Sequence, residues 1–350
     1  MTTQNTHAQH LLTILSSASA PLPLATLLPG LQAALSAHEH HAEAVFETLR
    51  YLLLDGLGLP ASVLHDAGTA ALSSRQCLTL HGWLSSLLTS STPVQYLVGQ
   101  VWFDGHPFGV SPAVLIPRPE TEGVVEQAWQ HLVQWVPIVQ LRQSNSNQTD
   151  RSAEPLVVDF CTGSGCIAIA LAKRWQAWCN ANPQSPLPAK FVGVDACPEA
   201  LVIARSNANV LAVEALTSWA CADVLQSASL NALKMTLGGQ LAAIITMNPP
   251  YIPHASWQKL AANVRDHEPQ AALVADEVGL QFYRVWAEHA HHWLAPGGAM
   301  VMELGVWDEA HTQQQGLFHE QVMALWAQAG FSVRCHNDLA GLPRVVVAHL

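Results

Sequence analysis

Residues 156–160, LVVDF, form a short apolar run that ends in Cys161-Thr-Gly-Ser-Gly165 and then opens a helix-forming stretch. A buried strand feeding a helix through a two-glycine turn is the start of a crossover unit, and parallel strands need such crossovers. Further apolar runs follow at KFVGVD (190–195), LAAIITMN (241–248) and AMVMELG (299–305). Helical segments lie between them, as at Pro198–Val210 and Gly279–Leu294. This alternation predicts an α/β domain over 119–350, with helices on both faces of a parallel sheet.

The preceding residues are patterned differently. Apolar residues recur at helical spacing in four stretches: Leu11 to Leu15; Leu24, Leu27, Leu28, Leu31 and Leu35; Val45, Phe46, Leu49, Leu52 and Leu53; and Leu80, Trp83, Leu84, Leu87 and Leu88. Such stripes predict a small helical domain over 1–92. From 93 to 118 the pattern turns to aromatic and β-branched residues around Asp104-Gly105, a hairpin turn signal, which predicts a β-hairpin linker. In that hairpin Trp102 and Phe103 are expected to pack between domains. A helix is expected over 120–135, followed by a polar, low-complexity surface loop at 140–155.

Composition limits the function classes. A formal charge of −11 argues against a broad phosphate-binding face, so no direct nucleic-acid partner is expected. No apolar run reaches the roughly 20 residues needed to span a bilayer, and the first residues lack a signal-peptide pattern. Seven cysteines without Cys-x-x-Cys spacing read as reduced thiols, which together predicts a soluble, cytoplasmic protein. The clusters His38, His40, His41 and His289, His291, His292 lack the cysteine or carboxylate that would complete a metal site. They are read as solvated helix faces, and no metal is expected.

Gly163 and Gly165 let the backbone approach a ligand closely. With Ala168 where a third glycine would complete Gly-x-Gly-x-x-Gly, the turn alone is weak evidence. Three acids add to it. Asp195 ends the next strand, where a carboxylate can hold two ribose hydroxyls. Asp223, after a third strand, can accept from an adenine amino group, and Asp159 can meet a cofactor ammonium. Four features in this order point to a nucleoside cofactor.

The fourth strand ends in Asn248-Pro249-Pro250-Tyr251. Two prolines stiffen the segment and leave carbonyls free to accept. The Asn248 side-chain oxygen and the Pro249 carbonyl can each take one N–H of a planar NH2 group, orienting its nitrogen toward an electrophile. Tyr251 can stack on the flat group. A protein amide and the exocyclic amine of a nucleobase both satisfy this description. A binding module built on the same scaffold is a third reading, disfavoured because every site element is intact.

These segments, together with Leu115-Ile-Pro-Arg-Pro-Glu-Thr-Glu122, VDACPEAL, His267-Glu268-Pro269, LAPGGAMVMELG and DLAGLPRVVV, resemble the HemK-type protein-glutamine methyltransferases. The resemblance covers roughly residues 42 to 350. It implies a Rossmann-like S-adenosylmethionine-dependent methyltransferase domain preceded by a small helical substrate-recognition domain and a β-hairpin linker. It also implies S-adenosyl-L-methionine as donor and a protein glutamine as acceptor. By position, Cys161, Thr162, Gly163, Ser164 and Gly165 would line the methionine end and Asp195 would hold the ribose. Asp223 and Val224 would flank the adenine, and Asn248, Pro249, Pro250 and Tyr251 would bind the glutamine. Two departures stand out: Cys161 replaces a commoner glycine, and Val224 a bulkier aromatic. Arg118, Glu120 and Glu122 are expected to order the hinge or contact the cofactor region. The recipient is expected to be the Gly-Gly-Gln loop of a peptide chain release factor, with a large-subunit ribosomal protein as the alternative.

Overall fold

The computed structural model describes residues 3–36, 42–144, 154–182, 188–305 and 318–350. They fall into two compact units, Met1–Gln100 with Ala261–His267, and Val101–Leu260 with Glu268–Leu350.

The first unit is helical: α1 (Thr3–Ser16), α2 (Leu24–Ser36), α3 (Ala42–Arg50), α4 (Ser74–Ser90) and α5 (Val94–Val98). A two-residue antiparallel pair, β1 (Leu22–Pro23) with β2 (Ala71–Leu72), ties the start of α2 to the start of α4. Ser73 caps α4 by accepting from Gln76 N–H while the Gln76 side chain returns to Ser73 N–H, which satisfies two otherwise orphaned donors. The third predicted stripe is broken. Leu52 and Leu53 are both buried, but on a π-turn, Tyr51–Gly56, that follows α3, and Phe46 is exposed. The wider turn swings two consecutive leucines inward, which the α spacing does not allow.

The second unit opens with the hairpin β3 (Gln100–Phe103) and β4 (His106–Gly109). Phe103 meets Phe108 edge to face at 5.9 Å, whereas Trp102 is exposed. Arg174 forks onto Asp104, the turn residue, with bonds of 3.1 and 2.6 Å. Helix α6 (Glu122–Ser144) runs further than predicted and takes in the first residues of the expected 140–155 loop. The rest of that stretch up to 153 lies outside the described residues, as do His38, His40 and His41.

There follow β5 (Leu156–Phe160), α7 (Cys166–Ala181), β6 (Lys190–Asp195), α8 (Pro198–Val210), β7 (Thr217–Cys221), α9 (Ser227–Thr236), β8 (Ala242–Met247) and β9 (Ile252–Pro253). After α10 (Ala262–Arg265), which belongs to the first unit, come β10 (Val274–Ala275), α11 (Gln281–His289), β11 (Leu294–Glu303), α12 (Phe318–Gln328), β12 (Ser332–Asn337) and β13 (Pro343–His349).

Seven strands form one sheet in the order β12-β13-β11-β8-β5-β6-β7. All run parallel except β13, which is antiparallel to both neighbours. Reversing β13 brings the Asp338–Leu342 turn to the carboxyl end of β11, as the pairing of Glu303 with Val345 requires. The central strands β5 and β8 are buried along their whole length, as their unbroken apolar sequences demand. On one face Phe160, Trp286 and Trp293 pack together, with Phe160 and Trp286 ring centroids 4.2 Å apart. Burying each such side chain contributes roughly 1.5–3 kcal/mol. The chain leaves β5 toward β6 and β7, then returns to β8 on the other side. That reversal is a topological switch point, where open α/β sheets hold their ligands at the carboxyl ends of the strands.

Candidate active site

A cavity of about 310 Å³ opens at this switch point. Its wall includes Cys161, Thr162, Gly163 and Ser164 from the turn after β5, Asp195 after β6, Asp223 and Val224 after β7, and Asn248 and Pro250 after β8. The predicted residues from four strand ends therefore meet in one place. Residues Val114, Arg118, Thr121 and Phe282 complete other parts of the wall.

The turn is held by its neighbours. Gly163 N–H donates to Asp195 Oδ2 at 2.8 Å, and Cys197 N–H donates to Asp195 Oδ1 at 2.9 Å. Burial raises the Asp195 pKa, and these backbone donors oppose the rise. A carboxylate has about four acceptor sites, so two remain for hydroxyls. Gly163 has φ +53°, and a Cβ built there meets nothing within 4 Å, so the backbone itself faces open cavity. Gly165 serves packing instead. At φ +79° it caps α7, and a side chain there would collide with Trp219, Ala204 and Ile169. Cys161 also adopts left-handed backbone, φ +57°, a conformation that suits the glycine it replaces. Burial, then the charges of Asp195, Asp159 and Asp223, push its thiol well above the usual range, so it is neutral.

Asp223 lines the cavity with its oxygens already engaged: Oδ1 accepts from Leu225 N–H (2.9 Å) and Oδ2 from the Gln226 side chain (2.7 Å). Asp159 is placed otherwise than expected. It is fully buried beneath the turn and is not among the lining residues. Oδ2 accepts from the Thr162 hydroxyl (2.5 Å) and Oδ1 from Thr246 (2.7 Å), so it braces the turn against β8. Desolvation lifts its pKa to about 7.

Asn248 projects into the cavity and its Nδ2 donates to the Thr121 hydroxyl at 3.3 Å. Pro249 and Tyr251 are not among the lining residues. Tyr251 is clamped between two glycines: Cβ atoms at Gly279 and Gly305 would strike its carbonyl oxygen and its ring, respectively. Its hydroxyl points at Glu303 Oε1, 3.5 Å away, instead of at a stacking position in the cavity.

Several contributing residues escaped the sequence reading. Asn207 on α8 donates to the carbonyls of Gly109 and Ser164. Glu268 pairs with Arg118 and accepts from Ile116 N–H at 3.2 Å, joining the 115–122 segment to the 267–269 segment. Glu122 accepts from Asp104 N–H at 2.8 Å, and Glu120 is exposed. Glu303 was a visible signal, a lone acid ending a run of apolar strand residues, as was Thr246 within β8. His291 is bonded to the Ala329 carbonyl (2.7 Å) and lies against Phe331. All seven cysteines are free. No group of metal-binding side chains occurs among the described residues, and none of their helices is long and apolar enough to cross a membrane.

A crevice at the reversal of a mostly parallel seven-stranded sheet, walled by a glycine turn and by acids at successive strand ends, is the architecture of a Rossmann-like methyltransferase. No family model matches the chain. Curated relatives do. Release factor glutamine methyltransferase of Geobacter sulfurreducens is 32% identical over 85% of this chain and 86% of its own length. That of Koribacter versatilis is 33% identical over 73% of this chain and 74% of its own. The Chlorobaculum tepidum relative of the same name is 37% identical over 61% of this chain, which spans 62% of that relative's length. The chain belongs to the release factor glutamine methyltransferase family.

Proposed function

We propose that this protein transfers a methyl group from S-adenosyl-L-methionine to the side-chain amide nitrogen of a glutamine, the one in the Gly-Gly-Gln loop of a peptide chain release factor. The observation that carries the reading is that Asn248 and the Cys161–Ser164 turn open into the same cavity. The cavity fits the donor: Gly163 presents bare backbone, while Asp195 and Asp223 place carboxylates for ribose and adenine. When bound, the sulfonium donor supplies an electrophilic methyl whose positive charge is discharged on transfer.

The chain's own residues supply orientation. The Asn248 side-chain oxygen and the Pro249 carbonyl accept the two amide protons, which aims the poorly nucleophilic nitrogen along the line of displacement. Pro250 closes the wall beside it. The helical residues preceding the hairpin serve to recognise the protein substrate, and the site of action is cytoplasmic.

The test is a transfer assay with labelled donor, offering purified release factor, ribosomal proteins and nucleic acid side by side, with glutamine-substituted controls. Label on the Gly-Gly-Gln glutamine is expected. Label on a ribosomal protein would change the substrate, and label on nucleic acid alone would overturn the reading. Asn248→Ala should abolish transfer while leaving donor binding intact. Asp195→Ala should weaken donor binding by roughly 1.5–3 kcal/mol.

A further inference from the structure

Glu303 is the last residue of β11 and is only 1% exposed. It is not among the cavity-lining residues, yet it is linked to one of them. The Thr121 hydroxyl hydrogen-bonds to its carboxyl group, and the Tyr251 hydroxyl faces Oε1. Its second oxygen, Oε2, is buried with no hydrogen-bond partner among the described residues. Thr121 is itself buried, lines the cavity, and accepts from Asn248 Nδ2.

The proton count along this chain decides its direction. A carboxylate only accepts, so the single proton of Thr121 goes to Glu303. The lone pairs of Thr121 then face Asn248, where only an N–H can meet them. Asn248 must therefore present its NH2 end to Thr121 and its oxygen to the other side. This holds whichever way the amide is drawn, because the carboxylate sets the polarity.

We propose that Glu303, acting through Thr121, is a positioning residue that fixes which end of the Asn248 amide faces the substrate. The inference rests on the methyl-transfer reading above. With the NH2 end turned inward instead, Asn248 would oppose a donor with a donor, and the incoming amide would lose one of its two acceptors. A buried carboxylate with one oxygen unpartnered is costly to keep. It is kept here at the one place where a donor would reverse the relay.

Protonation of Glu303 supplies the missing donor and unlocks the relay. Burial raises its pKa to about 7. The groups facing it are Thr121 and Glu120 ahead of α6, Tyr251 after β8, Arg344 on β13, and Tyr283 on α11, whose hydroxyl donates to the Glu303 carbonyl at 2.6 Å. Arg344 favours the charged form and Glu120 opposes it.

The test compares wild type with Glu303→Gln, Thr121→Val and Thr121→Ser on a Gly-Gly-Gln release factor. Glu303→Gln and Thr121→Val should each lower kcat by about tenfold or more, as a misplaced orienting group does. The donor Kd should stay within about twofold. Thr121→Ser should recover most of that loss. Wild-type kcat should rise with pH through neutrality, and Glu303→Gln should lack that limb. Unchanged kcat and pH profile in Glu303→Gln would overturn the proposal, as would equal losses in Thr121→Ser and Thr121→Val. A second measurement needs no substrate. The side-chain 15N resonance of Asn248, assigned by its loss in Asn248→Ala, should move with pH in wild type and stay still in Glu303→Gln. If that resonance titrates but no glutamine is methylated, the functional reading fails and the relay stands. A resonance that ignores both pH and Glu303→Gln overturns the relay.

Discussion

Asn207 is paired to Gly109 as one strand is to another: its Oδ1 accepts from Gly109 N–H at 2.7 Å and its Nδ2 donates back to the Gly109 carbonyl at 3.0 Å. The same Nδ2 donates to the Ser164 carbonyl at 2.9 Å, so one buried side chain ties the end of β4 to the glycine turn. Asn207→Asp keeps the shape and removes both donors, leaving two buried carbonyls opposite a carboxylate. The expected loss is about 1–3 kcal/mol or more of folding stability, read as a lower denaturation midpoint. Donor affinity should fall as well, because the turn loses a tether. A midpoint equal to wild type would show that the pairing contributes nothing.

Left-handed backbone at Cys161 sets an order among substitutions there. Cys161→Gly relieves about 1–2 kcal/mol of steric strain and adds roughly 0.5–1 kcal/mol of chain entropy to the unfolded state. The net is a small gain in stability. Cys161→Val places a β-branched side chain at φ +57° and should cost about 1–3 kcal/mol. Thermal unfolding of the three proteins should rank Gly, Cys, Val from most to least stable. Valine equal to cysteine would refute the strain.

Asp159 gives stability a pH slope of definite sign. Its pKa rises from 3.8 unfolded to about 7 folded, chiefly through desolvation, so in the unfolded chain the group ionises first as pH rises. Below about pH 4 the burial carries no ionisation penalty. From there to about pH 7 its contribution falls, and above that the full penalty applies. Glu303 acts in the same sense. Burial lowers the His131 pKa below its ordinary 6.5, which acts oppositely: stability is lost as pH drops below that value. Asp159→Asn should therefore gain on wild type as pH rises from 4 to 7.5, with the difference in Tm vanishing at the acid end. A difference independent of pH would mean that the native carboxyl titrates normally.

The parts of the site legible in the sequence are those where backbone geometry and residue type coincide. The turn at 161–165, Asp195, Asp223 and Asn248 each follow an apolar strand, and strand ends of a parallel sheet converge. Asp159 and Tyr251 were misplaced because sequence gives a residue's position along a strand but not the side its neighbours cover. Thr162 and Thr246 take both oxygens of Asp159, and Glu303 draws the Tyr251 hydroxyl away. Asn207 and Glu268 were invisible because their partners lie 98 and 152 residues away. Helix α6 overran its predicted end because polar residues at 140–144 do not forbid a helix.

The reversal of β13 has a consequence for how this enzyme family can vary. Its turn, Asp338–Leu342, is pinned from within: Asp338 accepts from Ala340 and Leu342 N–H at 2.9 and 3.0 Å and holds Arg344, which in turn bonds the Leu304 carbonyl. Leu339 at the tip is wholly exposed. The anchoring thus resides in Asp338 and Arg344, and the residues between them are free to drift. A sheet parallel throughout would put this connection at the opposite rim. Here selection has a small adjustable ledge beside the end of β11, where sequence can change without retuning the glycine turn or Asn248.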